Sequence, residues 1–128
     1  EENKLEVVPT AYLLFNTGRP TTASYITATP PLPPDKPTLA AYTALAGQYL
    51  GLKTIYLDAG SGADAPLPAP TVAAISQTTN LPLIVGGGIK DVTRAEALLN
   101  AGADLLVIGT ALENPNPRFV DELSRLFS

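Results

Sequence analysis

The chain has 128 residues, 45% of them hydrophobic and 16% charged, with a formal net charge of −4. That is enough for one globular domain with a core, and the acidic balance, with no basic run, argues against nucleic acid or an anionic membrane surface as the main partner. Neither Cys nor His occurs, which excludes disulfides, thiolate metal sites and the commonest acid–base group; any chemistry falls to carboxylates, hydroxyls, Lys, Arg, Tyr and the backbone.

Residues 5–15 read as the first strand, with Pro9 marking an irregular or edge position because it cannot donate to a ladder. Residues 16–37, with Gly18, Pro20, Pro30, Pro31, Pro33, Pro34 and Pro37, read as a long structured loop without helix. Loops of that length are uncommon unless functional, and this one could cover a ligand. A helix starts near Pro37. It carries Leu39, Tyr42, Leu45, Ala46 and Tyr49 at helical spacing, and Gly51 stops it. The second strand is residues 54–57, followed by Asp58-Ala59-Gly60-Ser61-Gly62-Ala63. A helix over 70–79 turns Val72 and Ile75 inward. Pro82 precedes the third strand, residues 83–85, which runs into Gly86-Gly87-Gly88. Asp91 caps a helix reaching Ala101, with Val92, Ala95, Leu98 and Leu99 on one face. The fourth strand, 105–108, ends in Gly109-Thr110. A last helix begins at Asn116-Pro117, a cap followed by a first-turn proline, and buries Phe119, Val120, Leu123 and Phe127. Tyr12, Tyr42 and Tyr49 are expected in the core.

Apolar strands alternating with helices mean an α/β fold with a parallel sheet. Four such units are about half of a (β/α)8 barrel, which typically needs around 250 residues. The alternative is a complete small open sheet, but helices on one face alone would leave its other face bare. The expectation is therefore a single half-barrel segment over 1–128, strands five to eight of a modified TIM barrel, with an N-terminal partner half elsewhere. The lack of any Met, even at position 1, also points to a fragment. No apolar run approaches a membrane span and the N-terminus is no signal peptide, so an integral membrane segment is not expected and a cytoplasmic protein is.

Two features bear chemistry. Strand, glycine turn and helix start is an arrangement that cradles a phosphate: glycine lets N–H groups approach an anion, and a helix N-terminus adds partial positive charge. It occurs at Gly86-Gly87-Gly88 and again, one βα unit later, at Gly109-Thr110. The seventh and eighth strands of a (β/α)8 barrel share such a site. At the end of the second strand, Tyr56 and Asp58 point to the same side. A phenol and a carboxylate there suit a polyol, next to the exposed N–H groups and hydroxyl of Gly60-Ser61-Gly62. Tyr56 as a core aromatic and Asp58 as a turn residue is the plainer alternative. Lys90 and Glu113 are left unassigned.

In order, Tyr56-Leu-Asp-Ala-Gly-Ser-Gly-Ala63, Leu83-Ile-Val-Gly-Gly-Gly-Ile89 and Gly102-Ala-Asp with Ile108-Gly-Thr110 resemble the geranylgeranylglyceryl phosphate synthase family, and look closer to its second group than to its bacterial heptaprenyl branch. Leu5–Phe15 and Lys36–Gly51 are similar to it as well. The resemblance implies a prenyltransferase joining a prenyl diphosphate to the C3 hydroxyl of sn-glycerol 1-phosphate, giving an ether lipid precursor. It implies that Tyr56, Leu57, Asp58, Ala59, Gly60, Ser61 and Gly62 hold the glycerol phosphate. Gly86, Gly87, Gly88, Gly109 and Thr110 would hold its phosphate, and Asp58 would be the base. The family more usually has Glu at that position. Mg2+ is implied, with its ligands in the absent N-terminal half and none in this segment, and homo-oligomers are implied too. Other readings are a different phosphate-binding barrel enzyme, or a non-catalytic half-barrel module pairing through its sheet edges.

Overall fold

The apolar runs become four parallel strands. In the computed structural model, which describes residues 4–18, 21–113 and 117–127, these are β1 (Thr10–Leu14), β2 (Thr54–Asp58), β3 (Leu83–Gly86) and β4 (Leu105–Val107). They pair in chain order, with Tyr12, Tyr56, Ile84 and Leu105 in one row of the register. The helices are α1 (Thr22–Thr27), α2 (Pro37–Tyr49), α3 (Ala69–Thr78), α4 (Val92–Asn100), α5 (Thr110–Glu113) and α6 (Pro117–Leu126).

Alternation along each strand divides the sheet into two faces. Ala11, Leu13, Ile55, Leu57, Leu83 and Val85 form one. They are buried in a common core with Ala40, Ala41 and Ala44 of α2, Val72 and Ile75 of α3, and Ala95 and Leu98 of α4. The other face, with the row from Tyr12 to Leu105, stays open: Tyr12 and Leu105 are each 50% exposed. Parallel strands normally bury both faces. A parallel sheet in sequential order, with helices on one side and an apolar side left open, is the architecture of half a (β/α)8 barrel. None of the described helices is long and apolar enough to cross a membrane.

Several boundaries and faces differ from expectation. The first strand begins at Thr10 rather than Leu5. Pro9 offers no N–H, and Leu5, Val7 and Val8 before it are exposed. The proline-rich stretch is not helix-free. Thr21 and Ser24 form a reciprocal capping box that starts α1. Further on, Leu32 pairs with the edge of β1, its N–H donating to Leu14 O at 2.8 Å and its carbonyl accepting from Asn16 N at 2.8 Å.

Helix α2 has the expected span, but the opposite face is inward. Ala40, Ala41, Ala44 and Gly47 are buried, while Leu39, Tyr42 and Tyr49 are exposed. The helix is apolar nearly all round, so periodicity does not choose a side; closeness does. A Cβ on Gly47 would lie 2.8 Å from the Ala11 Cβ, so only small residues let α2 approach β1. Tyr42 and Tyr49 are thus not core residues, and Tyr12 is only half covered. In α6 Phe119 is buried but Val120 is exposed, as is Phe127 just past the end of the helix. The expected cap Asn116 lies outside the described residues. The four-residue α5 has no signal in the periodicity.

Candidate functional site

In a succession of parallel βα units, the C-terminal ends of the strands gather at one rim. Here that rim holds Asp58 at the end of β2, Gly87 and Gly88 after β3, and Gly109 and Thr110 after β4. Between them opens a cleft of about 510 Å3, lined also by Tyr56, Ser61, Gly62, Lys90, Val107 and Phe119 among others.

The carboxylate of Asp58 is held from two sides. The Gly60 backbone N–H donates to its Oδ1 at 2.7 Å, and the Tyr12 hydroxyl donates to its Oδ2. The Tyr12 ring stacks on Tyr56, centroids 5.4 Å apart and planes within 5°, because register places the two tyrosines opposite each other. Partial burial, then the hydrogen bond to Asp58 and its negative charge, push the Tyr12 phenol well above its ordinary value. Burial and the Asp58 charge raise Tyr56 as well. Both phenols therefore stay protonated at neutral pH and Tyr12 acts as a donor. A carboxylate offers about four lone-pair sites, so after these two bonds each oxygen of Asp58 can still accept from a ligand hydroxyl.

The glycines have distinct jobs. Gly86 is buried beneath Tyr56: a Cβ there would stand 2.6 Å from the tyrosine hydroxyl and 3.2 Å from the Val107 Cβ. Gly87 and Gly88 have φ of +90° and +69°. Their Cβ positions would meet Gly60 O at 2.8 Å and Ala65 O at 2.2 Å, so the β3–α4 loop packs backbone to backbone on the β2–α3 loop. Gly109 has nothing within 4 Å of its Cβ position. It alone of the predicted phosphate glycines adjoins open space without a left-handed φ.

At the N-terminus of α4 the Asp91 side chain accepts from Arg94 N at 2.9 Å, a cap legible in the sequence, and its carboxylate also pairs with Arg94 Nε at 3.2 Å. The turn of α5 directly follows Gly109, and the first N–H groups of a helical turn lack partners within it. Lys90 is the only cationic side chain lining the cleft among the described residues, and its ammonium stands 3.8 Å from Asp64.

Of the residues expected at the site, Tyr56, Asp58, Ser61, Gly62, Gly87, Gly88, Gly109 and Thr110 line the cleft. Leu57, Ala59, Gly60 and Gly86 do not. Leu57 and Ala59 are fully buried in the core, since alternation points Leu57 away from Asp58. Gly60 acts through its N–H on Asp58, and Gly86 through the room it leaves for Tyr56. Tyr12 joins the site unexpectedly. Its signal is present in the sequence: Tyr-Leu recurs at the same distance from the ends of β1 and β2, and parallel pairing in register places the two phenols side by side.

A family model described as the PcrB family matches residues 1–126. The chain belongs to that family. A geranylgeranylglyceryl phosphate synthase of Spirosoma linguale is 48% identical over 124 residues, covering 97% of this chain and 49% of the relative. The enzyme of that name from Pyrococcus furiosus is 46% identical over 110 residues, covering 86% of this chain and 43% of the relative. Among solved structures, (S)-3-O-geranylgeranylglyceryl phosphate synthase from Thermoplasma acidophilum, in complex with sn-glycerol-1-phosphate, superposes with a TM-score of 0.83 at 36% identity. That match covers 93% of this PcrB-family chain and 47% of the other. The chain thus spans about half the length of the relatives it matches, and it aligns to their C-terminal part.

Proposed function

We propose that this chain is the acceptor half of a prenyltransferase, a half-barrel segment of a larger barrel domain, which binds sn-glycerol 1-phosphate for alkylation by geranylgeranyl diphosphate. One observation carries the reading: a carboxylate oriented by Tyr12 and Gly60 opens onto the same cleft as Gly109, Thr110 and Lys90. Glycerol phosphate has hydroxyls at one end and a dianion at the other, and the cleft has an acceptor at one side and N–H groups and a hydroxyl at the other. The names of the relatives and the ligand of the Thermoplasma acidophilum structure support the same assignment.

In the reaction, the C3 hydroxyl oxygen of the glycerol phosphate forms a bond to C1 of the prenyl chain as the C1–O bond to diphosphate breaks. The hydroxyl proton passes to Asp58, the base in this scheme. Tyr12 stays protonated and keeps the carboxylate turned to the cleft. Thr110 and the Gly109 turn hold the phosphate. The resemblance implies Mg2+, but among the described residues Asp58 is the only carboxylate lining the cleft, and no group of three or more Asp or Glu converges. The described residues do not fit a metal, so no step here runs through one; the resemblance places its ligands in the N-terminal half. The test is turnover by the protein carrying both halves. Ether formation from sn-glycerol 1-phosphate and geranylgeranyl diphosphate is expected. Turnover of another phosphorylated acceptor in its place would move the protein to a different phosphate-binding class.

A further inference from the structure

Arg94 does not line the cleft, yet it touches both loops that frame it. Its Nη1 donates to the carbonyl oxygens of Asp64 at 3.3 Å and Gly88 at 3.2 Å, and its Nε lies 3.2 Å from Asp91 Oδ2. Asp64 belongs to the β2–α3 loop, which leaves the sheet at Asp58. Gly88 belongs to the β3–α4 loop. At the strand ends the two are joined by Ala59 N–H donating to Gly86 O at 2.9 Å. Beyond that bond the ladder stops. The packing of Gly87 on Gly60 and of Gly88 on Ala65 fixes how closely the loops approach. Steric contact resists compression but not separation, and Arg94 resists separation. Arginine is well matched to such a tie. Its planar fork of donors reaches two carbonyls and a carboxylate at once, which an ammonium on a flexible stem cannot hold in one geometry.

We propose that Arg94 is a positioning residue, which holds the glycine loop against the carboxylate-bearing loop and so sets how Asp58 meets the hydroxyl end of a phosphorylated alcohol. The ligand part of this rests on the glycerol phosphate reading above; the tie between the loops does not. A ligand whose hydroxyl end reaches Asp58 depends on that tie. Inorganic phosphate, held at the Gly109 turn after β4, does not.

The experiment uses the protein with both barrel halves and the variants Arg94→Gln and Arg94→Lys, titrated calorimetrically with sn-glycerol 1-phosphate and with inorganic phosphate. Arg94→Gln is expected to weaken glycerol phosphate about tenfold, the worth of one charge-assisted hydrogen bond. Inorganic phosphate should hold nearly unchanged, and Arg94→Lys should fall between. A general loss of structure would weaken both ligands alike, and that result, or no change in either, overturns the proposal. Hydrogen exchange of the unliganded proteins tests the tie itself. Amides of 61–65 and 87–90 should exchange faster in Arg94→Gln while those of α3 keep their protection. Unchanged exchange contradicts the tie whatever the ligand, whereas faster exchange in a protein that ignores glycerol phosphate overturns the acceptor reading and the positioning role with it.

Discussion

Asp58→Asn, in the protein with both barrel halves, is expected to lower kcat by about a hundred- to ten-thousand-fold, the range of a lost general base, with little change in thermal stability. The amide keeps the shape of the carboxylate. Its oxygen can still accept from the Gly60 N–H, a bond of 2.7 Å in the native chain, and the Tyr12 hydroxyl can turn to accept from its NH2. What it cannot do is take the proton of the attacking hydroxyl. Asp58→Ala is a blunter change, since it strips the Gly60 N–H and the Tyr12 hydroxyl of their partner and adds a cost of about 1–3 kcal/mol for a buried donor left unmade. Comparing the two by single-turnover kinetics and thermal denaturation separates chemistry from support. An Asn variant with native kcat removes Asp58 from the reaction.

The second large effect concerns the glycines, which the structure divides between close packing and open space. Gly88→Ala is expected to destabilise the fold by about 2–5 kcal/mol, from a left-handed backbone that L side chains resist and from overpacking. The new Cβ would stand 2.2 Å from Ala65 O at a φ of +69°, and neither backbone can yield without moving a loop. Gly109→Ala should leave stability near native, since its Cβ position meets nothing within 4 Å, while weakening phosphate binding by occupying the cradle. Chemical denaturation of the two variants checks the first half of this contrast, and phosphate titration of Gly109→Ala the second. Native stability in Gly88→Ala would contradict the interlocked loops.

The glycine contrast also marks how far the sequence can be read. Strands β2, β3 and β4 and helices α3 and α4 are legible because each is a local apolar pattern punctuated by Gly, Pro or a capping Asp. The cleft is legible in outline for a similar reason: βα turns carry their own signature at Asp58, Gly87 and Gly109. What is not legible depends on distant partners. A triple glycine says that side chains are unwelcome, but not whether the excluded volume is a phosphate, the Tyr56 ring over Gly86, or the Ala65 carbonyl over Gly88. Helix α2 presents apolar residues on every side, so its inward face is decided by how closely Ala11 lets Gly47 approach. Tyr12 reads as core on its own strand; only across the register does it meet Tyr56 and Asp58. Arg94 reads as an ordinary helix cation because its partners, the carbonyls of Asp64 and Gly88, carry no side-chain signal.

Enantiomer discrimination decides whether this half of the barrel forms the glycerol phosphate site. The protein with both halves is titrated calorimetrically with sn-glycerol 1-phosphate and, separately, with the 3-phosphate. With the phosphate fixed at Gly109 and Thr110, both enantiomers carry a terminal hydroxyl within reach of the far side. The C2 hydroxyl, opposite in hand, is the third contact by which an Asp58 already oriented by Tyr12 and Gly60 would tell them apart. Tighter binding of the 1-phosphate is expected, with the preference lost in Asp58→Ala. Equal binding of both enantiomers, or a preference that survives Asp58→Ala, would contradict an acceptor site built on these residues.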